Sequence, residues 1–192
     1  MAYKSLISFV VSEDGLDTVL DAAIALAERL DAHLEVCCLA VDSTQVAGFY
    51  AGAPAVIFQE SIDALQTQAE ALREVVRTRL NGCPIRWSTD DVVVPMGTIG
   101  SYVGLKARFS DLVLLPCPYG DKGGPQDELV TEAALFDGNA AILVLPQDTT
   151  SLPDIRRIVL AWDQSEEALH AARAAMPFLE RVWFNQFHIQ RP

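Results

Sequence analysis

Positive charge is scarce in this chain: 14 Lys and Arg stand against 26 Asp and Glu in 192 residues, a formal net charge of -12. Binding to a nucleic-acid backbone by counterion release needs clustered cations, so that class of partner is not expected. Long apolar runs are also missing. No stretch is long enough to span a bilayer, and the opening "MAYKSLISFVVSEDG" runs from a short apolar segment into acidic residues instead of a small-residue cleavage site. No membrane contact is expected, and the cytoplasm is the expected compartment.

Metal-ligating and nucleophilic patterns are thin as well. The four cysteines, Cys37, Cys38, Cys83 and Cys117, contain no C-x-x-C, and the three histidines, His33, His170 and His188, have no metal-ligand spacing. The cysteines read as reduced core thiols, with Cys37 and Cys38 on opposite faces of a strand. No metal site is expected. No G-x-S-x-G elbow and no G-x4-G-K-[ST] loop occurs, which removes the common serine-hydrolase and P-loop signatures. Asp90 and Asp91 are adjacent in an extended segment and point apart, so they read as a solvated strand edge, not an acid pair.

What the chain has is apolar patterning. Hydrophobic residues make up 51% and charged residues 21%, enough for a sizeable core. Residues 5–11, "SLISFVV", read as a strand bounded by the turn-like "SEDG". Leu16, Leu20, Ala23, Ile24, Ala27 and Leu30 then recur at helical spacing. Residues 33–41, "HLEVCCLAV", are apolar at nearly every position, the pattern of a strand covered on both faces. Residues 43–55 read as a loop, and a long helix follows from about residue 58 to 80, with Ile62, Leu65, Ala69, Leu72, Val76 and Leu80 on one stripe. Gly82 in "NGCP" is a helix stop. A third strand (85–94), a third helix (98–109), a fourth strand (111–116), a fourth helix (127–136) and a fifth strand (140–146) complete the alternation. Gly97, Gly100 and Gly104 lack the dinucleotide spacing and read as glycines that let the third helix start and pack on the sheet. Alternation of this kind calls for an α/β fold: an open five-stranded mostly parallel sheet with helices on both faces.

After the polar linker of residues 148–154 the pattern begins again. "RRIVLAWDQSEEALHAARAAMPFL" reads as a short strand, a turn, and a helix carrying Ala168, Ala171, Ala172, Ala175 and Phe178, and "VWFNQFHI" (182–189) as one more strand. Residues 1–147 are thus one complete unit and residues 155–192 a partial second one. Two strands and a helix rarely stand alone in water, and Trp183, Phe184, Phe187 and Ile189 need a cover. A cover from the first unit or from a second protomer would serve, and a homodimer is expected.

The opening segment, "DLVLLP" after a Gly-bearing helix, the closing "ILVLP" and above all the restart at "RRIVLAWDQS" together resemble the universal stress protein family, in its tandem type with the second repeat cut short. The resemblance implies an adenine nucleotide alpha hydrolase-like, Rossmann-like fold. Members that bind ATP carry an Asp after the first strand, a backbone contact at the end of the second, and G-x2-G-x9-G-[ST] after the fourth. Here the Asp position falls on Val11, and the backbone contact falls near Val41. Gly120 and Gly123 satisfy G-x2-G one position late, and Glu128 and Leu129 stand where the final Gly-Ser pair belongs. Asp121, Asp127 and Glu128 put their own carboxylates around the helix start, which a triphosphate would otherwise use. In the second repeat, Asp163 and Ser165 match the family's Asp-x-Ser, though both are also ordinary turn and cap residues. The implied function is a non-catalytic stress-response protein acting through dimerisation or an unknown protein partner, with a degenerate nucleotide motif and no cofactor. The alternative is an ATP-binding stress protein, with Mg²⁺ and weak or no hydrolysis, using Val41, Gly120, Gly123, Asp163 and Ser165. A flavodoxin-like or electron-transfer-flavoprotein-like domain is a third, more distant reading.

Overall fold

The computed structural model describes residues 3–43, 55–120, 123–146, 155 and 157–180. The expected loop at 43–55, the linker at 148–154 and the expected strand at 182–189 lie wholly or almost wholly outside these residues. The chain divides into two compact units, residues 4–152 and residues 153–192 together with 1–3.

In the first unit the elements run β1 (Ser5–Val10), α1 (Leu16–Leu30), β2 (His33–Asp42), α2 (Ala55–Leu80), β3 (Arg86–Pro95), α3 (Ile99–Arg108), β4 (Leu112–Pro116), α4 (Pro125–Glu132) and β5 (Ile142–Leu145). The strands form one sheet of order β3-β2-β1-β4-β5, and every pairing is parallel. Registers such as Phe9 opposite Cys37, and Leu6 opposite Leu112, align the apolar runs. The side-chain carboxylate of Asp111 accepts the backbone N–H groups of Lys4 and Ser5 at 2.7 and 2.9 Å, which locks the start of β4 to the start of β1. Ser8, the buried hydroxyl of β1, donates to the Leu114 carbonyl at 2.9 Å and so costs the core no unmet hydrogen bond.

Alternation along the strands gives each face its helices. Ile7, Phe9, Val11, Cys37, Leu39 and Val41 pack with Ile99 and Val103 of α3 and Val130 of α4. Residues of the opposite parity face the other layer, where Val19 and Ala22 of α1 pack with Leu145 of β5. Asp90 and Asp91 divide the same way: Asp90 lies 3.5 Å from Lys106 of α3, while Asp91 pairs with Arg73 of α2. They point apart, as adjacent strand residues must. The buried stripe of α1 is centred on Val19, Ala22 and Leu26 as well as the expected Leu16, Leu20, Ala23 and Ala27, whereas Ile24 and Leu30 are half-buried.

Three details correct the sequence reading. Helix α4 starts at Pro125, two residues before the expected Asp127, because proline at a first helical position gives up an N–H that has no partner there anyway. It ends in a π turn at Ala133–Asp137. Gly100 and Gly104 admit that turn and not the sheet, since a Cβ on Gly104 would stand 2.7 Å from the Asp137 Cβ. Of the four cysteines only Cys37 and Cys38 are core thiols; Cys83 and Cys117 are half-exposed.

In the second unit the expected strand across "RRIVLAW" is not formed among the described residues. Residues 157–160 carry no regular structure, and Ala161 makes only an isolated bridge. A parallel strand needs neighbours on its edges, and an isolated bridge supplies one hydrogen-bonded contact instead of a ladder. The expected helix does form, as α5 (Glu166–Ala174), followed by the short α6 (Met176–Leu179) with Pro177 in its first turn. Tyr3 closes this unit: its hydroxyl donates to the Ala174 carbonyl, and its ring meets Phe178 at 5.7 Å between centroids.

Candidate functional site

The chain leaves β1 toward β2 and β3 on one side, then returns to β4 and β5 on the other. The crevice outside the carboxyl ends of β1 and β4 is therefore the topological switch point, where open α/β sheets hold ligands. A cleft of about 870 Å³ lies there. Its apolar lining includes Val11, Met96, Pro116 and Leu145, and its polar lining includes Glu13, Asp14, Asp17 and Asp127. No Lys or Arg lines it among the described residues.

Local sequence explains the two walls. On one side the β1–α1 loop turns through Gly15, whose φ of 72° is left-handed. The Leu16 N–H donates to the Glu13 carbonyl at 3.2 Å, which carries the acidic "SEDG" across the cleft mouth. On the other side, after β4, Gly120 has a φ of 105°, and Gly123 lies against the Pro118 carbonyl. The Gly123 N–H donates to the Gly120 carbonyl at 3.3 Å. The side chain of Asp127 then reaches back to accept the Gly124 N–H at 2.9 Å, which is half of a capping box. Burial pushes the Asp127 carboxyl above its ordinary range; the Gly124 hydrogen bond opposes this, and the Asp14 charge adds to it.

The structure places the sequence-derived residues in three different settings. Val11 and Gly123 line the cleft, whereas Gly120 and Val41 do not. Gly120 is exposed in the turn, and Val41 is buried on β2 opposite Val94. Glu128 and Leu129 lie within α4, past its first residues. Asp163 and Ser165 belong to the second unit and serve α5: the Ser165 hydroxyl accepts the Ala168 N–H at 3.0 Å, and the Asp163 carboxylate accepts the Ser165 N–H at 2.9 Å. The hydrogen bonds from Ser165 hold the Asp163 carboxyl below its usual range. Sequence reading missed Glu13, Asp14 and Asp17 as part of the cleft, although "SEDG" after a first strand marks the loop that a switch point brings there. Met96 and Cys117 carried no signal at all.

The fit of a nucleoside triphosphate to this lining is poor. Phosphate oxygens want N–H donors and cations. The Val11 side chain offers neither an acceptor for a nucleoside nor a donor for a phosphate, and the carboxylates of Asp14 and Asp127 repel an anion.

An all-parallel five-stranded sheet of this order, with helices on both faces and a cleft at its switch point, is a doubly wound α/β domain of the Rossmann type. Comparison with solved structures finds the same fold elsewhere. The chain is similar in fold to the universal stress protein UspA from Lactobacillus plantarum, with a TM-score of 0.56 and 18% identity over 76% of this chain and 99% of that one. It is also similar to the hypothetical protein MJ0577, with a TM-score of 0.54 and 13% identity over 76% of this chain and 97% of that one. At these identities the likeness is one of fold. No family model matches the chain, and no curated protein matches its sequence. Among the described residues no helix is long and apolar enough to cross a membrane.

Proposed function

We propose that this chain is a universal-stress-protein-like, non-catalytic stress-response protein of the cytoplasm. It acts through dimerisation or a protein partner, its nucleotide motif is degenerate, and residues 155–192 belong to a second repeat. The observation that carries this reading is the charge of the switch-point cleft, where four carboxylates and no Lys or Arg stand among the described residues, although Ser12, Thr18 and Gln126 also line it. The reason to expect a homodimer is the helix of the second repeat, α5, which has no buried residue among those described.

The test is thermal unfolding of the purified chain with and without millimolar Mg-ATP, with mass spectrometry for retained nucleotide and sedimentation at micromolar concentration. A ligand at about a hundred times its Kd adds about 2.7 kcal/mol. No shift, no retained nucleotide and a dimer support the reading; a monomer removes the dimer.

The second reading is an ATP-binding stress protein, favoured by the size of the cleft and by the Gly120–Gly123 turn at its edge. Retained ATP, or a shift of the size above, establishes that reading in place of the first.

A further inference from the structure

Two copies of an acidic chain repel each other least where carboxylates are absent, and this chain carries a formal net charge of -12. Helices α1, α2, α4 and α5 all carry carboxylates, whereas α3, "IGSYVGLKAR", carries none. Its Lys106 is engaged by Glu35 and Asp90, so Arg108 is the exposed cation of its outer face. That face is also apolar. Leu105 and Phe109 stand one helical turn apart on it and are 56% and 79% exposed.

The π turn at Ala133–Asp137 extends this face. Asp137 packs on α3, where a Cβ on Gly104 would stand 2.7 Å from the Asp137 Cβ, and the Arg108 guanidinium donates to the Asp137 carbonyl at 2.8 Å. With Ala133, Ala134 and Gly138 buried, Leu135, Phe136 and Asp137 are exposed in succession, Leu135 to 46% and Phe136 to 75%. A groove of about 340 Å³ between the two segments is lined by Gly100, Ser101, Gly104, Leu105, Arg108 and Asp137. A free phenylalanine offers roughly 150–250 Å², so the two rings alone leave roughly 230–390 Å² of apolar surface in water. One partner of a standard interface brings about 800 Å², of which about 450 Å² is apolar. Leu105 and Leu135 make up most of the difference.

We propose that this face of α3 and the π turn is where a second copy of the chain docks, through a two-fold contact. In such a contact residue i meets j while j meets i. Arg108 and Asp137 are both exposed at the groove, so Arg108 meets the partner's Asp137 and Asp137 meets the partner's Arg108. These pairs flank an apolar centre of Leu105, Phe109, Leu135 and Phe136. The proposal rests on the homodimer reading and gives the dimer a surface in the first unit rather than on α5.

Sedimentation equilibrium of the full chain at micromolar concentration tests this, with circular dichroism as the check of folding. Wild type is expected to be a dimer. Phe109→Ser/Phe136→Ser is expected to fold, because both rings are already mostly exposed, and to raise the dimer dissociation constant by about tenfold or more. Leu105→Gln/Leu135→Gln takes its place if it does not fold. Arg108→Asp is expected to weaken the dimer and Arg108→Asp/Asp137→Arg to restore it, since the swap keeps an opposite charge across each pair. Leu169→Glu, at an exposed apolar position of α5, is expected to leave the dimer unchanged. A dimer that survives Phe109→Ser/Phe136→Ser, the more plainly if Leu169→Glu breaks it, overturns this proposal and keeps the homodimer. A charge swap that restores nothing overturns it as well. A wild-type monomer overturns both the proposal and the homodimer, and leaves the face to a different partner.

Discussion

Gly123 lies so close beneath Pro118 that a Cβ added to it would stand 2.0 Å from the proline carbonyl oxygen. The contact involves two pieces of backbone, and neither can swing aside as a flexible side chain can. Gly123→Ala is therefore expected to lower stability by about 1–3 kcal/mol, the usual range for forced overpacking. Gly120→Ala, at φ 105°, is expected to cost roughly 1–2 kcal/mol through backbone strain alone. Urea unfolding of the two variants checks both values, and a neutral Gly123→Ala would mean that the turn is not closed as described.

Ser165 caps α5 through its hydroxyl, and alanine removes the acceptor for the Ala168 N–H. Ser165→Ala is expected to cost about 1 kcal/mol of helix stability. Hydrogen exchange should report it as faster exchange in the first turn of α5, whereas Ser165→Asp, which keeps a capping oxygen, should restore protection.

Thiol titration divides the cysteines. Cys37 and Cys38 are buried; burial first and the Glu35 charge second raise the Cys37 thiol well above the ordinary range, while burial and the Asp91 charge push Cys38 up to about 12. Since the thiolate is the reactive form, a disulfide reagent at pH 8 should modify Cys83 and Cys117 in the native protein and all four cysteines only after unfolding. Rapid modification of all four in the folded chain would contradict the burial of β2.

Asp127 sets a pH dependence of a defined sign. Its folded-state pKa is raised, chiefly by burial, so its contribution to stability is fully present below the unfolded carboxylate value of about 3.9 and is lost as pH rises through the folded value. Asp127→Asn removes that decline. Chemical unfolding of wild type and variant from pH 3 to pH 7 should therefore show the variant gaining relative to wild type as pH rises. An advantage for wild type that grows with pH would mean that the Gly124 hydrogen bond outweighs burial.

Lys106 donates to Glu35 at 2.6 Å and lies 3.5 Å from Asp90, with both Lys106 and Glu35 half-buried between α3 and the sheet. Burial works against its charge, but the Glu35 hydrogen bond and the surrounding charges outweigh it, so its pKa is raised. The stability it contributes is fully present below about pH 10.4 and lost as pH rises beyond that. Lys106→Met leaves Glu35 without its cation and is expected to cost about 1–2 kcal/mol at pH 7. Lys106→Met in a Glu35→Gln background should cost less, and equal losses in the two backgrounds would deny the coupling.

Much of the framework was legible in the sequence because parallel strands and amphipathic helices write themselves as unbroken apolar runs and helical stripes. "HLEVCCLAV" became a strand buried along nearly its whole length, and the Val76–Leu80 end of α2 packs as its spacing implies. "RRIVLAW" has the same local look, yet its described residues form no strand, because a run of apolar residues states a preference while only neighbours make a ladder. The cleft was less legible. Val11 and Gly123 could be placed from their order after strands, but the acidic wall at Glu13, Asp14 and Asp17 depends on how a turn at Gly15 crosses the mouth. The bond from Gly124 to Asp127 and the seat of Gly123 against Pro118 are three-dimensional facts, since no periodicity carries the direction in which a turn doubles back.

The clasp between Asp111 and the start of β1 also has a consequence for synthesis. β1 is the central strand, yet the residue that fixes its second neighbour follows Ser5 by 106 positions. At translation rates of about 5–20 residues per second, β1 waits roughly 5–20 s for that neighbour to be made. During that interval one edge of the most apolar part of the sheet is open beside its own ribosome. Slowing elongation before residue 111 would lengthen that exposure, and aggregation of nascent chains should rise with it, whereas slowing after residue 146, once all five strands are made, should have little effect.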